Sequence, residues 1–519
     1  MASESLDFVS PEAERFDGDE VIPVIAATTV AFIGRAERGP VNEPVPIKSF
    51  EAYRRVFGGH CAFSFLSHAV QHFFLHGGEA AMVVRVANGA TRGLLDLPAG
   101  GQVLRFQALQ PGSREFLRVS VDYERVERTP DRFNLVIQRL ARPGSQLVDD
   151  QELYESLSMD PADSRFLVDA LHDSELVRLV GPVPAARPDA TRAERPGDAI
   201  PYIAMTRLGS DGEELTDYDV IGSNNEGTGL FALDGCPTLD FLCIPAPPGR
   251  DLGATTFVAA TRYCERRRAL LIWDPPWSWM SVHGALLGVR GGDQASQNAL
   301  TYFPRVRPRG EPMRYELGLP ASGAIAGILA RCDQNGVWHD LPSADATLKG
   351  NLAPLVTLDK READLLNRSG VNVFVRVQPG LAVLQGNVSF AGFTAVDGFW
   401  QRLAVSRLCS FILKSVERHT RWVFTAQLLE ELPATLERQV WIFLSRLKHR
   451  GAFAGSKPEQ AFFVRTSGRV HPDNDVALTL RVGFAPDQPN EFLVYDFRYH
   501  GLSMTTEVVP VLDAERHLG

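Results

Sequence analysis

The chain has 519 residues, of which 45% are hydrophobic, and a formal net charge of −10 at pH 7. Its length suits about three or four domains, and its acidic balance argues against wrapping nucleic acid, because phosphate contacts need clustered Lys and Arg. Six scattered cysteines without a C-x-x-C pair, no apolar run near ~18 residues and no signal-like start predict reduced thiols, no direct membrane insertion and assembly in the cytoplasm.

The first hundred residues divide into an acidic segment and an α/β segment. Residues 1–25 carry many acidic and few apolar side chains, which predicts a solvated or partner-ordered N-terminal arm. Residues 26–100 predict a β-α-α-β unit from their hydrophobic pattern and their helix end signals. Its elements are an apolar run that ends at Gly34, a helix with Ser49 as its N-cap, a second helix from Phe65 to Leu75 and a buried strand at 80–87.

The pattern changes again in the middle of the chain. Residues 101–185 contain short alternating runs between turns, which predict a β-rich domain, and residues 186–214 are rich in Pro, Ala and charge, which predicts a linker. Residues 215–386 alternate strand-like and helical segments, so we expect a layered α/β domain with a parallel or mixed sheet.

Residues 387–519 predict an α+β C-terminal domain, because two amphipathic helices alternate there with three strand-like runs. We expect the apolar stripes of both helices in the core, and their polar faces carry more basic than acidic residues. The stripes are Val405, Leu408, Ile412 and Val416, then Leu436, Val440, Leu444 and Leu447; the basic residues are Arg402, Arg407, Lys414 and Arg418, then Arg438, Arg446 and Lys448.

Two features invite a chemical hypothesis, and each has a plainer structural explanation. Ser322 stands at a small-residue helix start, but no aspartate or histidine box of a serine protease precedes it, which favours a helix N-cap over a nucleophile. His68, His72 and His76 share one helical face, but the outer two lie ~12 Å apart, so one metal ion reaches only one pair. A polar edge of the helix is favoured over zinc. The sequence predicts no enzyme, no metal site and no cofactor.

Several stretches share their wording and their order with one known family. They are AFIGRAERGPVNEP, SFEAYRRVFGG and FFLHGGEAAMVVRV near the start, CERRRALLIWDPP and PASGAIAGILARCD in the middle, and ILKSVERHTRWVF, PEQAFFV and VGFAP near the end. Over about residues 26–500 the chain therefore resembles the contractile tail sheath proteins, which are found in contractile-tailed phages and in related bacterial injection particles.

The resemblance implies a structural subunit that polymerises as stacked hexameric rings around a tail tube and contracts to drive the tube through a target envelope. It implies a central domain of subtilisin-like topology, an outward-facing β domain and an innermost C-terminal domain that touches the tube. The expected partners are further copies of the chain, the tube protein, baseplate and cap proteins, and sister sheath subunits. The particle is a phage tail or an injection system, assembled in the bacterial cytoplasm.

The resemblance also implies two sets of interface residues. In the family, terminal arms add strands to a neighbour's C-terminal sheet, and the C-terminal domain meets the tube. The expected arm or strand residues are Val21, Ile22, Val24, Phe492, Val494, Tyr495 and Phe497. The expected tube-facing residues are Arg402, Arg407, Lys414 and Arg418.

Two departures from the family keep an alternative function open. The usual opening PGVYVEE is absent from residues 1–25, and LQGNVSF at 384–390 replaces the usual W-x-A-R-T-L. A specialised sheath paralogue accounts for both departures. A cap or baseplate-proximal adaptor, which keeps the fold without forming the contracting lattice, accounts for them as well.

Overall fold

The computed structural model describes most of the chain. The described residues are 21–24, 28–124, 126, 131–191, 201–291, 295–310, 315–340, 345–390, 402–425, 431–470, 476–501 and 503–509. Most of the predicted N-terminal arm, residues 1–20, and the final residues 510–519 lie outside this part.

Helices and strands are numbered here in chain order. The first are β1 (Val30–Gly34), β2 (Pro44–Ile47), α1 (Phe50–Phe57), α2 (Leu66–Leu75) and β3 (Ala81–Arg85). Then follow β4 (Arg92–Ala99), β5 (Gln102–Pro111), β6 (Phe116–Asp122), β7 (Arg132–Leu140), β8 (Val148–Ser158), α3 (Leu167–Ala170), β9 (Val177–Leu179) and β10 (Ile203–Ala204). The middle of the chain forms α4 (Asp217–Ile221), β11 (Phe241–Cys243), α5 (Ala254–Arg267), β12 (Leu270–Trp273), α6 (Val282–Gly291), β13 (Ala299–Phe303), β14 (Val306–Pro308), α7 (Ser322–Asp333), β15 (Leu352–Pro354), α8 (Lys360–Arg368), β16 (Asn372–Gln378) and β17 (Leu381–Gln385). The last are α9 (Leu403–His419), α10 (Leu432–His449), α11 (Pro458–Ala461), β18 (Phe462–Val470), β19 (Val476–Phe484), β20 (Leu493–His500) and β21 (Ser503–Val509).

The largest sheet has eight strands in the order β17-β16-β13-β12-β11-β1-β3-β2. Its six inner strands run parallel, and the edge strands β2 and β17 are antiparallel to their neighbours. Successive residues of β1 face opposite sides, as strand geometry requires. Phe32 packs in one apolar core with residues of α2 and α7, and Ile33 packs in a second core with residues of α5. The sheet is therefore the middle layer of an α/β architecture.

This sheet joins two segments that the hydrophobic pattern assigns to separate domains. β1 pairs in parallel with β11, with Val30 opposite Phe241, so residues 26–100 and 215–386 contribute to one sheet. The β-rich domain is inserted between β3 and β11. Pairing between strands so far apart in the chain leaves no local signal, and the hydrophobic pattern alone therefore splits this layer into two.

The inserted β-rich domain is wider than the predicted residues 101–185. Its two sheets, β10-β6-β7-β8 and β4-β5-β9, share one apolar core, and β4 begins at Arg92. Part of the predicted linker 186–214 also belongs to it, because β10 pairs with β6 and a further bridge joins Leu94 with Arg207. The linker prediction is wrong for these residues, since polar and Pro-rich composition does not exclude backbone pairing along a sheet edge.

The C-terminal domain has one antiparallel sheet in the order β18-β19-β20-β21, and α9 and α10 share its apolar core. The two helical stripes predicted to be core are confirmed, because all eight residues are buried. The N-terminal Ile22, which is 1% exposed, lies in the same core. The start of the described chain is therefore built into the domain formed by its end.

Candidate assembly surfaces

The C-terminal sheet ends in the exposed strand β21. This strand pairs with β20 along one edge, and within the described part of the chain no strand pairs with its other edge. Every residue of β21 is at least partly exposed, and Val508 is 63% exposed. An unpaired row of backbone N–H and C=O groups is a template for adding another strand. β21 is therefore the strand of this domain best placed to pair with a second chain.

Three of the residues expected to form an inter-subunit strand lie in β20, the neighbour of β21 towards the middle of the sheet. Val494, Tyr495 and Phe497 belong to β20, which is paired with β19 on one side and with β21 on the other. Their side chains are buried in the domain's own core. A strand paired on both edges has no backbone group left for a neighbour, so the expectation that β20 itself pairs between subunits is wrong. Phe492 precedes β20 and packs edge-on against Phe463, with ring centroids 5.2 Å apart.

The three predicted arm residues Val21, Ile22 and Val24 differ in their exposure to solvent. Val21 is 54% exposed, whereas Ile22 is buried and Val24 packs partly buried against the same C-terminal core. Ile22 and Val24 therefore anchor the chain within its own C-terminal domain. Of these three residues, only Val21 keeps the exposure that an inter-subunit arm requires.

Two of the four expected tube-facing residues instead hold α9 against the central sheet. Arg407 is buried and forms an ion pair with Asp333 at the end of α7. Lys414 donates to the Asp240 carboxylate at 2.5 Å and to the Leu239 carbonyl at 3.0 Å, just before β11. These side chains face the central domain of the same chain, so their assignment to the tube is wrong.

A third ion pair, Arg268–Glu417, extends the contact between α9 and the central domain. We call this contact the α9 seam. It comprises the pairs Arg407–Asp333, Lys414–Asp240 and Arg268–Glu417. Arg268 donates to Glu417 at 2.6 Å, and Glu417 also accepts from the Thr506 hydroxyl in β21 at 2.6 Å. The remaining expected residues are placed differently: Arg402 pairs with Asp487 at 2.5 Å and is half exposed, and Arg418 is half buried.

The outward face of α10 is a basic surface; the sequence already places basic residues on it, but they are not among the four residues expected to face the tube. Trp441 and Ile442 are 47% and 41% exposed, and Arg438, Arg446 and Arg450 are exposed around them. Because consecutive helical residues are turned by about 100°, this pair lies off the buried stripe that includes Val440 and Leu444. An aromatic and an aliphatic residue outside the apolar stripe are the signal that identifies this face from sequence.

Ser322 has no catalytic surroundings in the described structure. Its side chain is fully buried, and its hydroxyl donates to the Asp274 carboxylate at 2.6 Å. The same carboxylate accepts from the backbone N–H groups of Ala321 and Ser322 at 2.7 and 2.9 Å. Asp274 thus caps α7, so the prediction that Ser322 is the N-cap is wrong in detail. Burial raises the pKa of Asp274 to about 6, and hydrogen bonds from Ser322 partly offset this.

The histidines of α2 are packed as structural residues. His76 donates from Nδ1 to the His72 carbonyl at 2.6 Å, and its Nε2 accepts from the Lys349 N–H at 2.9 Å, so neither ring nitrogen is left for a metal. The rings of His60 and His68 stack with centroids 4.0 Å apart. Across the described ranges, no group of three or more His, Cys, Asp or Glu residues has metal-binding geometry. Nor is any described helix both long and apolar enough to span a membrane.

No family model and no curated protein matches the sequence. Solved structures match along nearly the whole chain. A sheath tail protein from Listeria innocua has 12% sequence identity and a TM-score of 0.64, over 93% of this chain and 97% of that one. A sheath tail protein from Desulfitobacterium hafniense has 12% identity and a TM-score of 0.56, over 94% and 99%.

The chain has the fold of tail sheath proteins. The contracted sheath complex of an extracellular contractile injection system, PVC, adds a third likeness, with 14% identity and a TM-score of 0.51 over 92% of this chain and 94% of that one. Since these likenesses span every domain described above, the mixed α/β multidomain architecture expected from the sequence is confirmed.

Proposed function

We propose that the chain is the structural subunit of a contractile sheath, forming stacked hexameric rings around a tube and contracting to drive that tube through a target envelope. The observation that carries the proposal is the likeness to sheath proteins over 93% of the chain at a TM-score of 0.64. We also propose that the parallel sheet corresponds to the subtilisin-like layer of that family. Non-closing contacts between copies generate the helical lattice.

The contact between copies is proposed at the outer edge of β21. A strand added there would gain backbone hydrogen bonds that do not depend on side chains, which suits subunits that change their relative angle. The segments that precede Val21 and follow Val509 both leave from this domain, because Ile22 is in its core and β21 ends its sheet. Such a segment of a neighbouring copy is the proposed added strand.

The contact with the tube is proposed at the outward face of α10 instead of at α9. Arg446 and Arg450 are exposed in the last turn and at the end of this helix, and Trp441 and Ile442 are exposed in its middle; an acidic tube surface with an apolar patch would complement them. Baseplate, cap and sister sheath proteins are proposed to bind copies of the chain at the ends of the same lattice. The particle is proposed to be a phage tail or an injection system assembled in the bacterial cytoplasm.

Expression of the chain alone, followed by negative-stain electron microscopy, tests the proposal. We expect hollow striated cylinders of the contracted-sheath type. Monomers or closed rings alone would contradict self-polymerisation and would support the cap or baseplate-proximal adaptor. A hydrolase is not proposed, because the Ser322 hydroxyl is fully buried against Asp274 and no histidine contacts it among the described hydrogen bonds.

A further inference from the structure

The C-terminal sheet has two outer strands, β18 and β21, and their outer edges differ. β18 pairs with β19 along its whole length without a register shift. The Ala485 N–H donates to the Ala461 carbonyl at 2.8 Å, so the N–H of Phe462, on the other side of the same peptide group, points away from β19. Residues two apart on a strand direct their N–H groups to the same edge. The N–H groups of Val464 and Thr466 therefore also point to the outer edge of β18.

Two of these three outward N–H groups already have an acceptor within the chain. The Thr466 N–H donates to the Glu437 carboxylate of α10 at 3.0 Å, and the Thr466 hydroxyl donates to the same oxygen at 2.9 Å. The Phe462 N–H donates to the Pro458 carbonyl at the start of α11. Only Val464 lies between them, so this half of β18 has no run of consecutive outward N–H groups for an incoming strand.

The geometry at both ends of β18 adds to this closure. Gly468 has a φ of +118°, whereas an extended strand has a negative φ, and a Cβ there would lie 2.3 Å from the Ala477 carbonyl oxygen. A distorted glycine weakens strand pairing in the second half of β18. At its first residue, the ring of Phe462 packs with Trp441 of α10, with centroids 6.0 Å apart. α10 therefore lies alongside the edge that its carboxylate occupies.

Glu437 is the only acidic residue in the sequence of α10, and its carboxylate is directed to a sheet edge. A charged side chain at an outer strand is one of the means by which proteins prevent strand addition. Hydrogen bonds to a carboxylate are also stronger than those between neutral groups, so an incoming strand does not displace it easily. On β21, by contrast, the described part of the chain makes no backbone hydrogen bond beyond the pairing with β20.

We propose that Glu437 determines which edge of the C-terminal sheet accepts a strand from a second copy of the chain. Its carboxylate holds the Thr466 N–H and closes β18, so that the added strand pairs with β21 alone. The use of β21 rests on the proposed function. The closure of β18 does not, because all the groups that form it belong to one chain.

Hydrogen exchange of the free chain, read by mass spectrometry at single-residue resolution, measures the closure directly. The test variant is Glu437→Ala, which removes the acceptor of the Thr466 N–H. In Glu437→Gln the amide oxygen can still accept this N–H. The matched control is Glu431→Ala, because Glu431 is exposed at the start of the same helix and makes no capping hydrogen bond. At a concentration where the chain is monomeric, we expect the Thr466 N–H to exchange about tenfold faster or more in Glu437→Ala, and close to the wild-type rate in the other two.

Sedimentation velocity measures the consequence for assembly, with every variant built on Val508→Lys so that strand addition at β21 is blocked. We expect Val508→Lys and Val508→Lys/Glu431→Ala to stay monomeric, and Val508→Lys/Glu437→Ala to associate as its concentration is raised. Adding Thr466→Pro to the associating variant should restore the monomer, because proline lacks the N–H and is tolerated on an outer strand. A second substitution of this kind would not rescue a poorly folded chain, so the restoration identifies an opened edge.

Two results would overturn the inference. An unchanged exchange rate of the Thr466 N–H in Glu437→Ala would show that the carboxylate does not hold this edge. Association of Val508→Lys/Glu437→Ala no stronger than that of Val508→Lys would show that Glu437 does not determine the choice of edge. Failure of the wild-type chain to form cylinders would instead contradict the proposed function, and both measurements on the free chain would still decide whether Glu437 closes β18.

Discussion

Gly323 sets the distance between two helices by lacking a side chain. A Cβ at this position would lie 1.9 Å from the carbonyl oxygen of Ala69, so α7 lies against the backbone of α2. We expect Gly323→Ala to lower the midpoint of thermal unfolding, because overpacking costs about 1–3 kcal/mol. Gly59→Ala is the control, since nothing lies within 4 Å of its added Cβ. Equal midpoints for the two variants in calorimetry would contradict this account.

Two buried histidines make the stability of the chain dependent on acid pH. Burial lowers the pKa of His72 to about 3 and that of His76 to about 4, from an ordinary value of 6.5. Between pH 4 and pH 6.5 the unfolded chain binds more protons than the folded chain, because these histidines are protonated only when they are exposed. We therefore expect the free energy of unfolding to fall as the pH drops from about 6.5 to 4. Each unit of pKa shift corresponds to about 1.4 kcal/mol. Asp274, whose pKa is raised to about 6, has the opposite effect: its protonation raises the free energy of unfolding as the pH drops through this range.

The variant His76→Gln separates the histidine effect from that of Asp274. An amide can still donate to the His72 carbonyl and accept from the Lys349 N–H, but it does not titrate. We expect this variant to lose less stability than the wild type between pH 6.5 and 4.5, measured by chemical denaturation at each pH. The same pH slope in both proteins would show that His76 carries none of the effect.

At the scale of elements, α9 fixes the C-terminal domain to the central sheet through the α9 seam. We expect Arg407→Met to destabilise the chain by about 3–5 kcal/mol, because it leaves the buried Asp333 carboxylate without its cation. Arg402→Gln removes a half-exposed pair with Asp487 and should cost less than about 1 kcal/mol. Thermal unfolding of both variants checks the difference. A cost for Arg407→Met no larger than for Arg402→Gln would mean that the seam does not stabilise the chain.

The helices and strands follow from the sequence more directly than their partners do. The stripe that includes Leu436 and Val440 is predicted by its spacing, because burial of one helical face is a local property. The partners of Lys414 and Arg407 are not, since Asp240 and Asp333 become neighbours only when the domains pack. A basic residue on a polar face is therefore compatible with an interface between subunits and with one inside the chain, and sequence alone does not separate the two.

At the scale of the whole molecule, both ends of the described chain meet in one domain. Ile22 is in the core of the C-terminal domain, and Val509 ends its exposed edge strand. The edge of the central sheet differs from the exposed edge at β21, because its outer strand β2 contains Pro44 and Pro46. Proline has no N–H to donate and blunts a sheet edge, so further strand addition is disfavoured there and left open at β21.

The exposed edge of β21 makes assembly sensitive to a charge placed on that strand. Val508→Lys places a charge on the exposed edge strand, where lysine is a known means of preventing strand addition. We expect the variant to unfold at the wild-type temperature, because Val508 is 63% exposed, and to form no cylinders in negative-stain images. Val258→Lys is the matched control, with the same substitution at a 41% exposed position on α5, and should still polymerise. Cylinders from Val508→Lys in wild-type yield would place the contact between copies elsewhere, for instance at β18, the other outer strand of the same sheet.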